Sequence, residues 1–329
     1  MKIFITGGSG YLGHPLCMKL AAQGNSIHLM LRDPQSVFAP RHPNIRIFKG
    51  DINERSQVDK AIAGCSQVYH TAAAVKLWAE DPDEIFRTNV DGTANVLESA
   101  RNEGVSRFVF TSTCGVIGPC IYEPMTESDP RIAGFSLDYE LSKKMAEDLV
   151  FLYARNGLDA LVVSPPKIYG PGKVAQKYNA NAPISWFLKN RIAFIPSPGS
   201  YRTCFAFIDD VVNGHLLAME RGKTGEKYIL GGVNISYYEF FDLIRKISHN
   251  QGYIIQLSKY KVMAWAILQK MNYAITGKDL LFTNKAINRF FSNYCFSSEK
   301  AVRELGYQIT PVEEALKQTI HFLNQPIYA

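Results

Sequence analysis

The chain has 329 residues, 47% of them hydrophobic and 20% charged, with a net charge of +6. That length allows one large domain or two with a substantial core, and the mild positive excess has no basic block that would indicate nucleic-acid binding. No 18-residue window is purely apolar, the seven histidines lack ligand spacing, and the six cysteines are scattered without a C-x-x-C pair. A membrane span and a metal site are therefore not expected, and the thiols read as reduced and buried.

In chain order, Ile3, Phe4 and Ile5 form an uninterrupted apolar run, the mark of a strand buried on both faces. Because this strand starts at residue 2 or 3, no signal peptide is expected and the protein reads as cytoplasmic. Gly7, Gly10 and Gly13 follow at three-residue spacing, before a helical pattern of Leu12, Leu16, Met18 and Leu20. Strand, glycine turn and helix open a dinucleotide-binding βαβ unit. Gly7 permits the tight turn, Gly10 the backbone approach to a pyrophosphate, and Gly13 close packing of helix on strand. The helix N-terminus offers free N–H groups and positive partial charge to phosphates.

Residues 27–31 read as the second strand, ending in Arg32-Asp33-Pro34. An acid at this point would hold the ribose 2′-hydroxyl of NAD, whereas an arginine matches the 2′-phosphate of NADP in charge and fork geometry. Arg32 comes first, so NADP(H) is favoured, with NAD(H) as the alternative. Residues 45–48 form a third strand before Asp51, which can reach an adenine amino group or cap a helix. Residues 68–70 form a fourth, followed by small residues that let a flat ring lie close. A helix is expected over 83–103, with Asn89 in its middle. Asparagine is a poor helix-interior residue, and a polar contact would explain it.

The fifth strand, 107–111, ends in Ser112-Thr113-Cys114-Gly115. Tyr139 and Lys143 then lie four apart on one helix face. A free phenol, with a pKa near 10, is a weak acid–base group at neutral pH, and an ammonium one turn away favours the phenolate. The hydroxyl of Thr113 can hold a substrate oxygen. Residues 160–164 form the sixth strand, 184–189 a short amphipathic helix, and 228–230 a late strand. Asp209 or Asp210 reads as a helix cap. From 261 to 275, Met263, Ile267, Met271 and Ile275 mark an apolar stripe. It reads as core first. A cover over a hydrophobic substrate, or a membrane-surface helix flanked by Lys261, Lys270 and Lys278, are the alternatives.

Taken together, T-G-G-S-G-Y-L-G, H-T-A-A-A, N-V-D-G-T, F-T-S-T-C-G-V-I-G, Y-E-L-S-K and I-Y-G-P-G, in that order, resemble the extended short-chain dehydrogenase/reductase superfamily of epimerases and dehydratases. Stretches 76–85, 207–212, 225–232 and 297–307 are similar to its dihydroflavonol-reductase-like branch, which includes hopanoid-associated proteins called sugar epimerases. The resemblance implies an α/β fold: a Rossmann-type doubly wound parallel sheet with a smaller, interleaved C-terminal substrate-binding lobe. The expected division is 1–165 with 205–231 for the dinucleotide-binding domain, and 166–204 with 232–329 for the substrate lobe.

The resemblance also implies roles. Gly7, Gly10, Tyr11, Leu12 and Gly13 wrap the pyrophosphate, and Arg32 faces the adenosine ribose. Asp51 and Ile52 flank the adenine. Ala72, Ala73 and Ala74 lie along the cofactor and Asn89 supports the nicotinamide side, while Thr111, Pro165 and Ile168 complete the contacts. Thr113, Tyr139 and Lys143 form the catalytic triad, Lys143 also holding the nicotinamide ribose. Two departures matter. Sugar-nucleotide dehydratases place an Asp-Glu pair where this chain has Cys114-Gly115, and Ser164 stands where many members have arginine. The expected activity is hydride transfer between NADP(H) and a ketone, aldehyde or alcohol, with Tyr139 as acid/base. The alternative is an NAD-dependent nucleotide-sugar 4-epimerase; a non-catalytic cofactor-binding protein is a third reading. Trp78, Tyr122, Phe135, Trp186 and Trp265 would face a ring-containing or apolar substrate. Core-helix dimers are common in the superfamily, so a homodimer is the assembly it suggests.

Overall fold

The computed structural model describes residues 1–75, 82–122, 124–172, 180–276 and 284–325, with the backbone alone at 270–276 and 284–286. Trp78, most of 76–85 and Lys278 lie outside the described residues, as do the side chains of Lys270, Met271 and Ile275.

Seven parallel strands form the central sheet: β1 (Lys2–Thr6), β2 (Ser26–Leu31), β3 (Ile45–Lys49), β4 (Gln67–His70), β5 (Arg107–Thr111), β6 (Ala160–Ser164) and, numbered by chain order, β10 (Lys227–Ile229). Their spatial order is β3-β2-β1-β4-β5-β6-β10. Ile3, Phe4 and Ile5 are fully buried, as are Ala160 to Val163. This is why those strands read as unbroken apolar runs, since helices cover both faces. The covering helices are α1 (Gly13–Ala22), α2 (Arg55–Ile62), α3 (Asp83–Phe86), α4 (Gly92–Glu103), α5 (Asp138–Arg155) and, later in the chain, α7 (Ile208–Arg221). The chain is thus an α/β protein with a Rossmann-type sheet.

The remaining strands build two small sheets. β7 (Lys167–Tyr169), β9 (Arg202–Phe207) and β11 (Val233–Ser236) form one, with β9 central; β8 (Ile192–Pro196) and β12 (Tyr253–Leu257) pair in parallel. With them go α6 (Asn181–Asn190), α8 (Tyr237–Ile247), α9 (Lys259–Thr276), α10 (Asn284–Phe290), α11 (Glu299–Leu305) and α12 (Val312–Leu323). Phe205 to Phe207 therefore lie in a small sheet, and α7 after them returns to the central one, packing against β5 and β6. One apolar cluster runs from Ile3 and Leu16 through Phe205 and Phe240 to Leu316 and Leu323, so the central sheet and the later elements share a core.

Three expectations need correction. The helix over 83–103 is broken into α3, a π-helical turn at Arg87–Asp91, and α4. Neither Asp209 nor Asp210 caps α7. The N-cap is Phe207, and the Asp210 carboxylate instead accepts from the Thr310 N–H at 2.8 Å and its hydroxyl at 2.6 Å. On α9, Met263 and Ile267 are exposed, and the buried face is Val262 and Ala266, packed on Ile287 of α10. Val262 and Ala266 face α10, and Met263 and Ile267 are left outside. No helix among the described residues is long and apolar enough to cross a membrane. All six cysteines are free and buried.

Candidate active site

The strand order reverses direction between β1 and β4, and the crevice at their C-terminal ends is where such sheets bind ligands. The glycine loop leaves β1 at this point. Gly7 has φ +77°, and a Cβ there would lie 2.5 Å from the Ala72 nitrogen, so the loop touches the chain leaving β4. A Cβ on Gly13 would lie 2.2 Å from the Gly7 carbonyl oxygen, so α1 is packed directly on the turn. A Cβ on Gly10 would meet only the Gly7 carbonyl, at 3.1 Å, which leaves the other side of the loop open for a phosphate to approach. Leu12 is the N-cap position of α1, while the Tyr11 hydroxyl points away from the loop. It donates to the Gly170 carbonyl at 2.7 Å and accepts from Asn181 at 3.0 Å, tying the loop to the end of β7 and the start of α6.

At the end of β2, Arg32 is exposed with no partner among the described residues, while Asp33 accepts from the Gln35 N–H at 2.9 Å. The acid is committed to its own turn, and the arginine has no partner among the described residues. Asp51 likewise holds the Asn53 N–H at 2.9 Å, and Ile52 is buried against Gly92. At the end of β4, Asn89 explains the broken helix. Its Oδ1 accepts from the Ala74 N–H at 2.7 Å, and its Nδ2 donates to the Ala74 carbonyl at 3.2 Å and to Ser142 of α5 at 2.9 Å. The π turn aims this buried side chain at the Ala72–Ala74 segment, the kind of helix defect found at functional sites. Beneath it, His70 hydrogen-bonds Thr6 at 2.6 Å and Thr93 at 2.9 Å, and burial lowers its pKa to about 3.

Thr113 follows β5 and caps the short 3₁₀ turn Cys114–Val116, its hydroxyl accepting from the Gly115 N–H at 3.1 Å. That turn contacts α5, which carries Tyr139 in its first turn and Lys143 in its second. The Lys143 ammonium lies 3.9 Å from the centre of the Phe110 ring, almost fully buried and with no hydrogen-bond acceptor among the described residues. Burial lowers its pKa to about 7, opposed by the charge of Glu147 one turn further on. Glu147 is itself buried, paired with Lys227 at 2.5 Å through one oxygen, its other oxygen unpartnered among the described residues. Burial pushes the Tyr139 phenol up to about 12, opposed by the charge of Arg289 of α10. Lys143 thus sits one turn along α5 from Tyr139, its ammonium resting on the Phe110 ring.

Other expected contacts are placed differently. The Thr111 hydroxyl hydrogen-bonds His215 of α7 at 2.9 Å, and the Pro165 carbonyl accepts from the Cys114 N–H at 3.0 Å. Ile168 is half-buried in β7. Tyr122 and Trp186 are exposed, Phe135 lies under Arg131, and Trp265 is exposed on α9. Sequence reasoning missed Glu147, Glu140 and Arg289. Glu147 continues the four-residue spacing of Tyr139 and Lys143 and was findable that way; Arg289 lies too far along the chain for any local pattern to link it.

A nicotinamide dinucleotide fits these residues: a side chain at Gly7, Gly10 or Gly13 would fill the cradle, and Lys143 brings to the same edge of the sheet a buried ammonium that has no acceptor among the described residues. Among the described residues no cluster of His, Cys, Asp or Glu is able to hold a metal.

Residues 3–231 match the model of the NAD dependent epimerase/dehydratase family. The chain belongs to that family and is an NAD(P)-dependent enzyme of the extended short-chain dehydrogenase/reductase type. It is 27% identical to a putative dihydroflavonol 4-reductase of Synechocystis over 99% of this chain and 95% of that one. With sterol demethylase protein B of Methylococcus capsulatus it shares 31% identity, over 75% of each. The UDP-glucuronic acid 4-epimerase of Bacillus cereus, solved with NAD, has the same fold, with a TM-score of 0.80 at 20% identity over the whole of both chains.

Proposed function

We propose that this protein is an NADP(H)-dependent reductase or alcohol dehydrogenase of a ketone, aldehyde or alcohol substrate. The observation that carries the reading is the row on α5: Tyr139, then Lys143 with its buried, acceptor-free ammonium, at the sheet edge beside the glycine cradle. A bound nicotinamide supplies or accepts the hydride at the substrate carbon. In the reducing direction Tyr139 donates its proton to the substrate oxygen, and in the oxidising direction it takes that proton back. Thr113 donates a hydrogen bond to the same oxygen. Lys143 binds the ribose hydroxyls, which replaces the solvation its ammonium has lost.

Asn89 fixes the Ala72–Ala74 segment against which the cofactor lies. The preference for NADP(H) rests on Arg32 having no partner among the described residues and Asp33 being occupied. Residues 166–204 and 232–329 supply the substrate lobe, and their aromatic side chains suit a ring-containing or apolar substrate.

Thermal-shift titration with NADPH and NADH, with an absorbance check for carried-through cofactor, is the first test. A larger shift with NADPH and an empty purified protein support the reading. In the second reading, a nucleotide-sugar 4-epimerase sharing the fold of the Bacillus cereus enzyme, NAD would instead remain bound through purification. With NADPH and a carbonyl panel, Tyr139→Phe should lose turnover; retained turnover removes Tyr139 from the role of acid.

A further inference from the structure

Charge is unevenly shared along this chain. Residues 160–208 and 243–278 hold twelve of the 36 Lys and Arg but none of the 30 Asp and Glu, so the remainder of the chain is net negative. The two stretches meet in space. β8 of the first pairs with β12 of the second, and α9 starts two residues after β12 ends.

Apolar side chains stand exposed in this same place. On α9, Val262 and Ala266 face α10, while Met263 and Ile267 are turned the other way, with Tyr260 on their side and Leu268 at the flank. Ile267 is 59% exposed and Leu268 63%. A helix that is apolar on its outer as well as its inner side is ordinarily enclosed, and a patch of this kind marks a binding surface. The β8–β12 ribbon repeats the arrangement. Ala193 and Ile195 are buried; Phe194 between them points outward beside its register partner Ile255, and Tyr253 lies on the same outer face.

Cations rim both surfaces. Lys259 and Lys261 stand on the first turn of α9, and Lys189 and Arg191 lie just before β8. All four are exposed and without an ion pair among the described residues, whereas Arg245 and Lys246 are held by Asp242.

We propose that α9 and the ribbon beside it dock on an anionic phospholipid bilayer. Met263, Ile267 and Leu268 enter the boundary between headgroups and acyl chains, and the surrounding lysines and arginine meet lipid phosphates. The helix lies on the membrane, since no described helix is long and apolar enough to cross one. Tyr260 and Trp265 are residue types that settle at headgroup depth. A second copy of the chain suits this face less well: self-pairing would set like charges against each other with no acid to offset them.

The full chain is mixed with vesicles of phosphatidylcholine alone, or of phosphatidylcholine and phosphatidylglycerol in equal parts, and the bound fraction is read by flotation. Partition into the mixed vesicles should exceed that into the neutral ones by at least about tenfold and should fall as salt is raised, because each cation near an anionic surface is worth roughly fivefold. Ile267→Asp with Leu268→Asp takes apolar area out of the interface and should lower partition by at least about tenfold. Lys259→Gln with Lys261→Gln should lower it by about twentyfold on the mixed vesicles and leave the neutral ones unchanged. This second pair decides if the first does not fold. Partition that is absent, that is equal on both vesicles, or that survives the deciding pair overturns the proposal. So does a dimer in sedimentation velocity that the Ile267 and Leu268 pair breaks while vesicles bind nothing. None of these readouts uses turnover, so the proposal stands or falls apart from the reaction assigned above.

Discussion

Replacing Asn89 tests whether the π turn exists to brace the Ala72–Ala74 segment, against which we propose the cofactor lies. Asn89→Ala removes three hydrogen bonds, two to the Ala74 backbone and one to Ser142. At roughly 1 kcal/mol each, less the ~0.6 kcal/mol by which alanine is the better helix former, the net loss is about 2 kcal/mol. Urea unfolding of the two proteins reads this directly. The same substitution frees the Ala72–Ala74 segment, so the stabilisation given by saturating NADPH should shrink as well. Asn89→Asp sharpens the test. It keeps an acceptor for the Ala74 N–H but loses both donated bonds and buries a carboxylate, so it should be worse than alanine at pH 7. Burial raises that carboxyl's pKa in the folded state, so its cost must fall as pH drops and the group is protonated. If Asn89→Ala unfolds within about 0.5 kcal/mol of the parent and keeps the full NADPH effect, the side chain is not what holds the segment.

Gly13→Ala places a methyl 2.2 Å from the Gly7 carbonyl oxygen, backbone against backbone, and should abolish the cofactor-induced thermal shift or the soluble fold. Arg32→Ala should weaken NADPH roughly tenfold or more while leaving NADH nearly unchanged, measured by fluorescence titration; equal loss for both cofactors rejects the 2′-phosphate assignment. Lys143 is held near 7 in the fold against about 10.4 in the unfolded chain, so between those values the unfolded chain binds more protons and stability rises with pH. Lys143→Met should therefore be more stable than the parent at pH 7 by urea unfolding, with the gap closing towards pH 10. Loss of the buried pair by Lys227→Met leaves Glu147 uncompensated and should cost about 3 kcal/mol or more in the same assay.

What the sequence makes legible is whatever repeats or packs locally. Ile3 to Ile5 could only be an enclosed strand, and three glycines between a strand and a helix have few other uses. Asn89 stood out as a misfit in a helix, and the structure supplies the reason as a backbone defect that no propensity scale encodes. The α9 stripe misleads because periodicity reveals that a face exists but not what covers it. Val262 and Ala266 win the inner side through close approach to Ile287, and the bulkier residues beside them are left outside. Asp210 looked like a cap because it opens a helix, but Thr310, a hundred residues on, claims its carboxylate. Arg289 is the extreme of this kind: its partner Glu140 lies far back in the chain on α5, and no spacing announces it.

The stitching of the second lobe onto the loop after β5 has a consequence for the order in which the molecule can be made. Cys120 pairs with Asn293 and Met125 with Phe296, while Thr203 pairs with Tyr294. A ribosome adding roughly 5–20 residues each second has released the whole central sheet well before residue 296 appears, leaving that loop without its partner strand for about ten seconds or more. During that interval the nascent chain holds the glycine loop and the whole central sheet, with the loop after β5 unpaired. A chain cut short before residue 289 would keep the glycine loop and the central sheet while lacking Arg289 and the segment that pairs with the loop after β5.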